Sequence, residues 1–178
     1  MTAGIATLDA APAAAFVAAM APLFEGAPGF LWRLAAARGE PFRSWARLFA
    51  RARTLAHQLP EPLQVELVEA HPRLGAAREG LSVMSAREQG SAPPDAEAAT
   101  LERLNADYEA RFGFRYCVFV AGRPLAVLIP ELEAARSADR DAELHRALDA
   151  VVDIAQARHE AATAVDVVPS AAPHEPNR

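Results

Sequence analysis

His71 stands directly before a proline, in His71-Pro72-Arg73-Leu74-Gly75. Proline disfavours helix in the residue ahead of it, so a helix reaching His71 must stop there. At a helix C-terminus the charged imidazole is favoured by the dipole, and from such an end it can act as general acid or base in a cleft. The plainer reading is a capping or surface histidine. Further on, Ser85-Ala86-Arg87-Glu88 fits a capping box, with Ser85 as N-cap and Glu88 at the third helical position. The span that follows is short: Gln89-Gly90-Ser91 and then Pro93-Pro94. The box therefore opens barely a turn, and it exposes Ser85, Glu88 and Gln89 together. Near the C-terminus, Leu148, Val151 and Ala155 fall within about 40° of Leu144 on a helical wheel, and Arg158 falls inside the same stripe. Two readings of Arg158 stand at this point. It snorkels out near a helix end, or it is an inward guanidinium awaiting an anionic ligand or a buried carboxylate.

Other chemistries lack their residues. All 18 basic residues are arginine, so there is no Schiff-base lysine, pyridoxal-phosphate lysine or phosphate-loop lysine. The one cysteine excludes a disulfide framework and any multi-cysteine metal site; Cys117 reads as a buried small hydrophobe. His159-Glu160-Ala161-Ala162-Thr163 begins like a zinc-protease helix but lacks the second histidine. His57, His145 and His174 have no partner at ligand spacing, so no metal site is expected. No glycine elbow around a serine is present either.

These residues need a frame, and the composition points to helices. The chain has 178 residues, enough for one domain, and about one in four is alanine. Glycine and β-branched residues are few. Pattern and breakers place helices at 12–24, 28–39, 42–59, 62–71, 95–112, 126–136 and 139–162. Phe114–Val120 reads as a short extended segment. The expectation is an all-α fold: one compact domain of about seven or more helices. Residues 1–11 read as a flexible N-terminus, 12–162 as the helical domain and 163–178 as a disordered tail.

Charge and hydropathy exclude more. A net charge of −5 argues against a nucleic-acid partner. No apolar run approaches the roughly 20 residues that cross a bilayer, so no membrane role is expected. Ala13–Phe24 lacks the basic flank of a signal peptide. The reading is a cytoplasmic protein.

Taken in order, His71-Pro72-Arg73-Leu74-Gly75, Ser85-Ala86-Arg87-Glu88-Gln89, and Leu104-Asn105-Ala106-Asp107-Tyr108 leading into Arg111-Phe112-Gly113-Phe114 resemble the OHCU decarboxylase family. These enzymes convert 2-oxo-4-hydroxy-4-carboxy-5-ureidoimidazoline (OHCU) to (S)-allantoin, the last step of that route from urate. The resemblance runs from about Phe16 to Arg158 and includes Gly39-Glu40-Pro41-Phe42. It implies an all-α homodimer with no metal or organic cofactor. It places the family's catalytic residues on His71, Glu88 and Arg158. Family substrate contacts fall on Pro72, Ser85 and Gln89 and on backbone groups of Cys117, Val118, Phe119 and Val120. Arg115 stands where the family often has proline.

The implied reaction sheds CO2 and leaves a carbanion that the ring takes up as an enolate, which needs no cofactor electron sink. On this reading His71 is the general acid/base. Glu88 with Gln89 holds ureido and ring N–H donors, Arg158 holds an anionic or carbonyl oxygen, and Ser85 with the N–H groups near Val118 completes the ring contacts. The alternatives are a related lyase acting on another ureido or heterocyclic acid, and a non-catalytic helical binding module. Convergence of His71, Glu88 and Arg158 on one polar pocket separates an enzyme from a module.

Overall fold

The computed structural model of the protein describes residues 4–76, 81–89 and 95–166; for Glu88, Gln89, Asp95, Val165 and Asp166 it describes the backbone alone. Within these residues the chain is helical, with no strand. The helices are α1 Ile5–Ala10, α2 Ala13–Met20, α3 Pro28–Ala36, α4 Trp45–Gln58, α5 Glu61–Glu69, α6 Val83–Gln89, α7 Asp95–Phe112, α8 Leu125–Ala135 and α9 Arg140–Asp166. A 3-10 turn, Ala37–Gly39, extends α3.

Local chemistry explains most boundaries. Pro28 opens α3 at its first turn, where a missing N–H costs nothing. Ser44 caps α4 by accepting the Arg47 N–H at 3.2 Å. Asp139 caps α9 through Oδ1, which accepts from the Asp141 and Ala142 N–H groups. Gly113 ends α7 in the left-handed region, φ +77°. The helix expected over 12–24 stops at Met20, because Pro22 has no N–H to continue it. Glu25 and Gly26, at φ +50° and +85°, then turn the chain.

The long helix α9 lies against α4 and α5, α2 and α5 pack on α3, and α7 pairs with α8. Phe16, Phe24, Phe30, Leu48, Leu67, Leu104, Tyr108, Phe114, Leu148 and Val151 fill the space between them. His159, on α9, stacks flat on Trp45 of α4 with ring centroids 3.7 Å apart. On the outer side of the same pair, Arg53 reaches Asp149 and Asp153, and His57 Nε2 lies 2.8 Å from Asp149.

The N-terminus differs from its expectation. Over 4–11, the described part of the segment expected to be flexible, the chain forms α1, buries Leu8 and is tied down twice. Arg38 donates to the Leu8 and Ala11 carbonyls at 2.7 Å, and the Asp9 carboxylate accepts the Phe42 and Arg43 N–H groups. At the other end α9 continues past Ala162 to Asp166; the rest of the expected tail lies outside the described residues. No helix among the described residues is long and apolar enough to cross a membrane.

Candidate active site

His71 caps the end of α5, its N–H donating to the Val68 carbonyl at 3.1 Å. The turn that follows is pinned on α7. Asn105 Nδ2 donates to the Leu74 carbonyl at 3.0 Å, and the Arg73 guanidinium forms a fork with the Glu109 carboxylate, at 2.7 and 2.5 Å. Gly75 closes the turn at φ +77°, where a Cβ would meet Leu101 Cδ1 at 2.6 Å. Both features disfavour any side chain. Gly75→Ala is therefore expected to lower unfolding free energy by about 2 kcal/mol, read by urea titration.

The opposite wall is the connection 114–120, which is neither helix nor strand and is held by arginines. Arg115 donates to the Glu69 and His71 carbonyls, tying the segment to the end of α5. Arg146 on α9 bonds the Cys117 carbonyl at 2.9 Å and lies over the Tyr116 ring, while its other donors meet Glu143. Tyr108 donates to the same Glu143 at 2.7 Å. Arg123 bonds the Phe119 and Val120 carbonyls.

Between these walls lies a narrow cleft. His71, Pro72, Ser85 and Arg158 line it, together with Cys117, Val118 and Val120. Phe119, on the same segment, does not. Leu74, Tyr116 and Ile154 complete the lining. Glu88 and Gln89 belong to α6, beside Ser85 in sequence, but their side chains lie outside the described residues.

Ser85 is not the cap of α6. The helix begins three residues earlier than the capping box suggested, and Ser82 caps it: its Oγ accepts the Ser85 N–H at 3.1 Å and its carbonyl the Ala86 N–H at 2.9 Å. Ser85 thereby moves into the first turn, with its side chain inward and buried. Arg158 does not snorkel either, since its side chain is 1% exposed. Nη1 donates to the Pro22 and Leu23 carbonyls, and Nη2 reaches Ser85 Oγ at 3.0 Å and Glu25 Oε1 at 2.8 Å. The inward reading with a buried carboxylate is the one the geometry realises.

That carboxylate, Glu25, escaped the sequence reading. Its Oε1 also accepts from Ser82 Oγ at 2.8 Å and Ser85 Oγ at 2.5 Å. Burial alone would raise its pKa; the two hydroxyls and the Arg158 charge outweigh that and hold it below the usual carboxylate range. A signal was present: Glu25 is the one charged residue between Asp9 and Arg33.

His71 differs most from its expectation. It is 3% exposed, and neither ring nitrogen has a hydrogen-bond partner among the described residues. The Leu67 carbonyl favours a ring N–H without lying in bonding geometry. Burial, and then the Arg158 charge, push the imidazole down to about 4, against a smaller opposite pull from Glu25. The residue is therefore a neutral base at neutral pH, not a dipole-stabilised cation. The unfolded chain takes up a proton near the ordinary value of 6.5 and the folded chain only near 4, so the His71 contribution is complete above pH 6.5 and lost as pH falls to 4. It amounts to about 3 kcal/mol. Urea titrations at about pH 7 and pH 4.5 should show this loss in the wild type and a smaller one in His71→Asn.

Among the described residues, no three His, Cys, Asp or Glu side chains are grouped to hold a metal ion.

The helical fold that carries this cleft is shared with solved proteins. One is a crystal structure of (S)-allantoin synthase, matched with a TM-score of 0.64 at 19% identity over 89% of this chain and 54% of that one. Another is OHCU decarboxylase crystallised in the presence of (S)-allantoin, with a TM-score of 0.64 at 18% identity over 78% of this chain and 93% of that one. The OHCU decarboxylase family profile matches residues 9–160, and the chain belongs to that family. The chain is 30% identical to the 2-oxo-4-hydroxy-4-carboxy-5-ureidoimidazoline decarboxylase of Haloferax volcanii, over 80% of this chain and 86% of that protein. It is also 30% identical to the uric acid degradation bifunctional protein PucL of Bacillus subtilis, over 76% of this chain and 28% of that longer protein.

Proposed function

We propose that this protein is a carboxy-lyase that decarboxylates OHCU to (S)-allantoin in urate breakdown. The observation that carries the reading is His71: a buried imidazole, neutral at rest, that lines a cleft with Ser85 and Arg158 and whose two nitrogens have no partner among the described residues. A buried polar group left without a partner costs about 1–3 kcal/mol, which a substrate hydroxyl or N–H can recover. The family and its relatives supply the reaction; the cleft supplies residues able to run it.

In the proposed mechanism His71 takes the proton of the substrate's ring hydroxyl. The bond from that carbon to the carboxylate breaks, CO2 departs, and the electron pair passes into the ring C=N. The hydroxyl carbon becomes the carbonyl of the product. His71 returns its proton to the neighbouring ring carbon on one face, and one solvent proton completes the ring nitrogen. Arg158, already engaged by Glu25 and Ser85, acts as a fixed charge and an organiser for these steps. Glu88 and Gln89 orient the ureido group, as the family resemblance assigns them. Pro72 and the backbone of 117–120 form the wall against the ring. The reading includes a homodimer in the cytoplasm that works without metal or organic cofactor.

A non-catalytic module would scatter His71, Glu88 and Arg158; His71 and Arg158 share one cleft with Ser85, and the Glu88 side chain lies outside the described residues. The experiment is to generate OHCU in the cuvette from urate with uricase and hydroxyisourate hydrolase, and to follow its ultraviolet absorbance with and without this protein. Accelerated decay is expected. An unchanged decay from a folded sample would rule out OHCU as substrate and leave another ureido acid.

A further inference from the structure

We propose that Glu25 is a positioning residue that fixes Ser85 as a hydrogen-bond acceptor toward the substrate, so that the cleft seats a ring or ureido N–H at Ser85 and turns the departing carboxylate away from it. The inference rests on the decarboxylase reading above and adds an orientation to it.

A serine hydroxyl has one proton to donate and two lone pairs to accept with. At Ser85 the proton points to Glu25 Oε1, 2.5 Å away, and one lone pair receives the Arg158 Nη2–H at 3.0 Å. A single lone pair remains for a ligand, and it can only accept. Neither neighbour is free to swap roles. Arg158 carries no acceptor, and its Nη1 is spent on the Pro22 and Leu23 carbonyls. Glu25 is an ionised carboxylate that only accepts, held on the same oxygen by Ser82 at 2.8 Å and by Arg158 at 2.8 Å.

A substrate carbonyl or carboxylate oxygen at Ser85 would meet lone pair against lone pair, with the Glu25 charge directly behind. An amide or urea N–H meets the remaining lone pair in bonding sense. OHCU has both kinds of group, so the rule orients it: the N–H edge on Ser85, the carboxylate toward His71 and the wall at Tyr116–Val118. The backbone supports the assignment. Glu25 sits at φ +50°, a region that residues with a Cβ enter at a cost, next to Gly26 at +85°. The turn holds a carboxylate where glycine or asparagine would be easier, and that carboxylate is the one on Ser85.

The experiment uses the full chain and enzymatically generated OHCU, with Glu25→Gln, Ser85→Ala and the double variant. An N–H bond kept in both ground and transition state affects KM, so Ser85→Ala is expected to raise KM about tenfold and lower kcat by no more than about threefold. Glu25→Gln places an amide that can donate into Ser85, and it is expected to raise KM by at least about tenfold with a smaller effect on kcat. The double variant should match Ser85→Ala within about twofold, because Glu25 then has no hydroxyl to act through. Effects that multiply in the double variant, or a Glu25→Gln enzyme with wild-type KM, would overturn the proposal and make Glu25 a purely structural counterion. If Glu25→Gln does not fold, Glu25→Asp keeps the charge but shortens its reach; a wild-type KM in that variant overturns the proposal equally. Turnover by the wild type separates the two claims. Its absence brings down the decarboxylase reading and this inference together, whereas a working wild type with multiplying variants brings down this inference alone.

Discussion

His71→Asn should lower kcat on OHCU by about 10²–10⁴ while the protein stays folded, because asparagine keeps a polar side chain at the end of α5 but cannot shuttle a proton. The loss should not be recovered at any pH between about 5 and 8, since the missing element is the base itself and not its protonation state. The wild type is expected to behave differently over the same range. Its kcat/KM reports the free enzyme, in which burial and the Arg158 charge hold His71 near 4. The profile should therefore be flat through neutrality and fall only as pH approaches 4, below where an exposed histidine would titrate. Stopped-flow assays of both proteins across pH check this. A wild-type limb centred near 6.5 would mean that His71 is not the group in control.

Arg158 is expected to affect folding as well as rate. Arg158→Ala removes the cation from a side chain 1% exposed and leaves Glu25, itself 13% exposed, without its counterion. Removing one partner of a buried pair typically costs about 3–5 kcal/mol. Urea titration of this variant should show a loss of that size, whereas a surface arginine would show roughly 0.5 kcal/mol or less. Arg158→Lys separates charge from geometry. Lysine keeps the charge, but its three donors radiate from one nitrogen and cannot span the Pro22 and Leu23 carbonyls, Ser85 Oγ and Glu25 Oε1 together. A fall in kcat/KM of about 10² with a smaller loss of stability is expected, because the planar charge that organises the cleft is then no longer held in place.

Local signals carried the frame of the molecule into the sequence. Pro28 and Gly113 mark a helix start and a helix stop, and the stripe Leu144–Leu148–Val151–Ala155 faces the core with Arg158 in it. The placement of His71 at a helix end was legible for the same reason, since a proline follows it. What could not be read depended on contacts between distant segments. Leu8 and Asp9 look like frayed chain until Arg38 and the Phe42 and Arg43 N–H groups bind them. The capping box points to Ser85, yet Ser82 takes the cap because Ser85 is drawn inward to Glu25 and Arg158. Glu25 has no local motif at all; its partners Ser82, Ser85 and Arg158 all lie far along the chain.

The protonation of His71 was misread for a reason of magnitude. A helix dipole is worth about 0.3–1 kcal/mol to a cation at its C-terminus. Burial of the imidazole, with Arg158 nearby, opposes the charge more strongly than that. Position along the helix is visible in a sequence, but the depth of the pocket around its last residue is not. Arg115 makes the complementary point. It departs from the family's usual proline, yet it bonds the Glu69 and His71 carbonyls and so holds together the two walls of the cleft.

Decarboxylation of OHCU through His71 with a defined stereochemistry can be read by circular dichroism of freshly generated OHCU, recorded with wild type and with His71→Asn. Dextrorotatory (S)-allantoin should accumulate at the rate of substrate loss with the wild type, and racemic product should form slowly with the variant. Racemic allantoin from the wild type, or (S)-allantoin formed equally fast by His71→Asn, would contradict it.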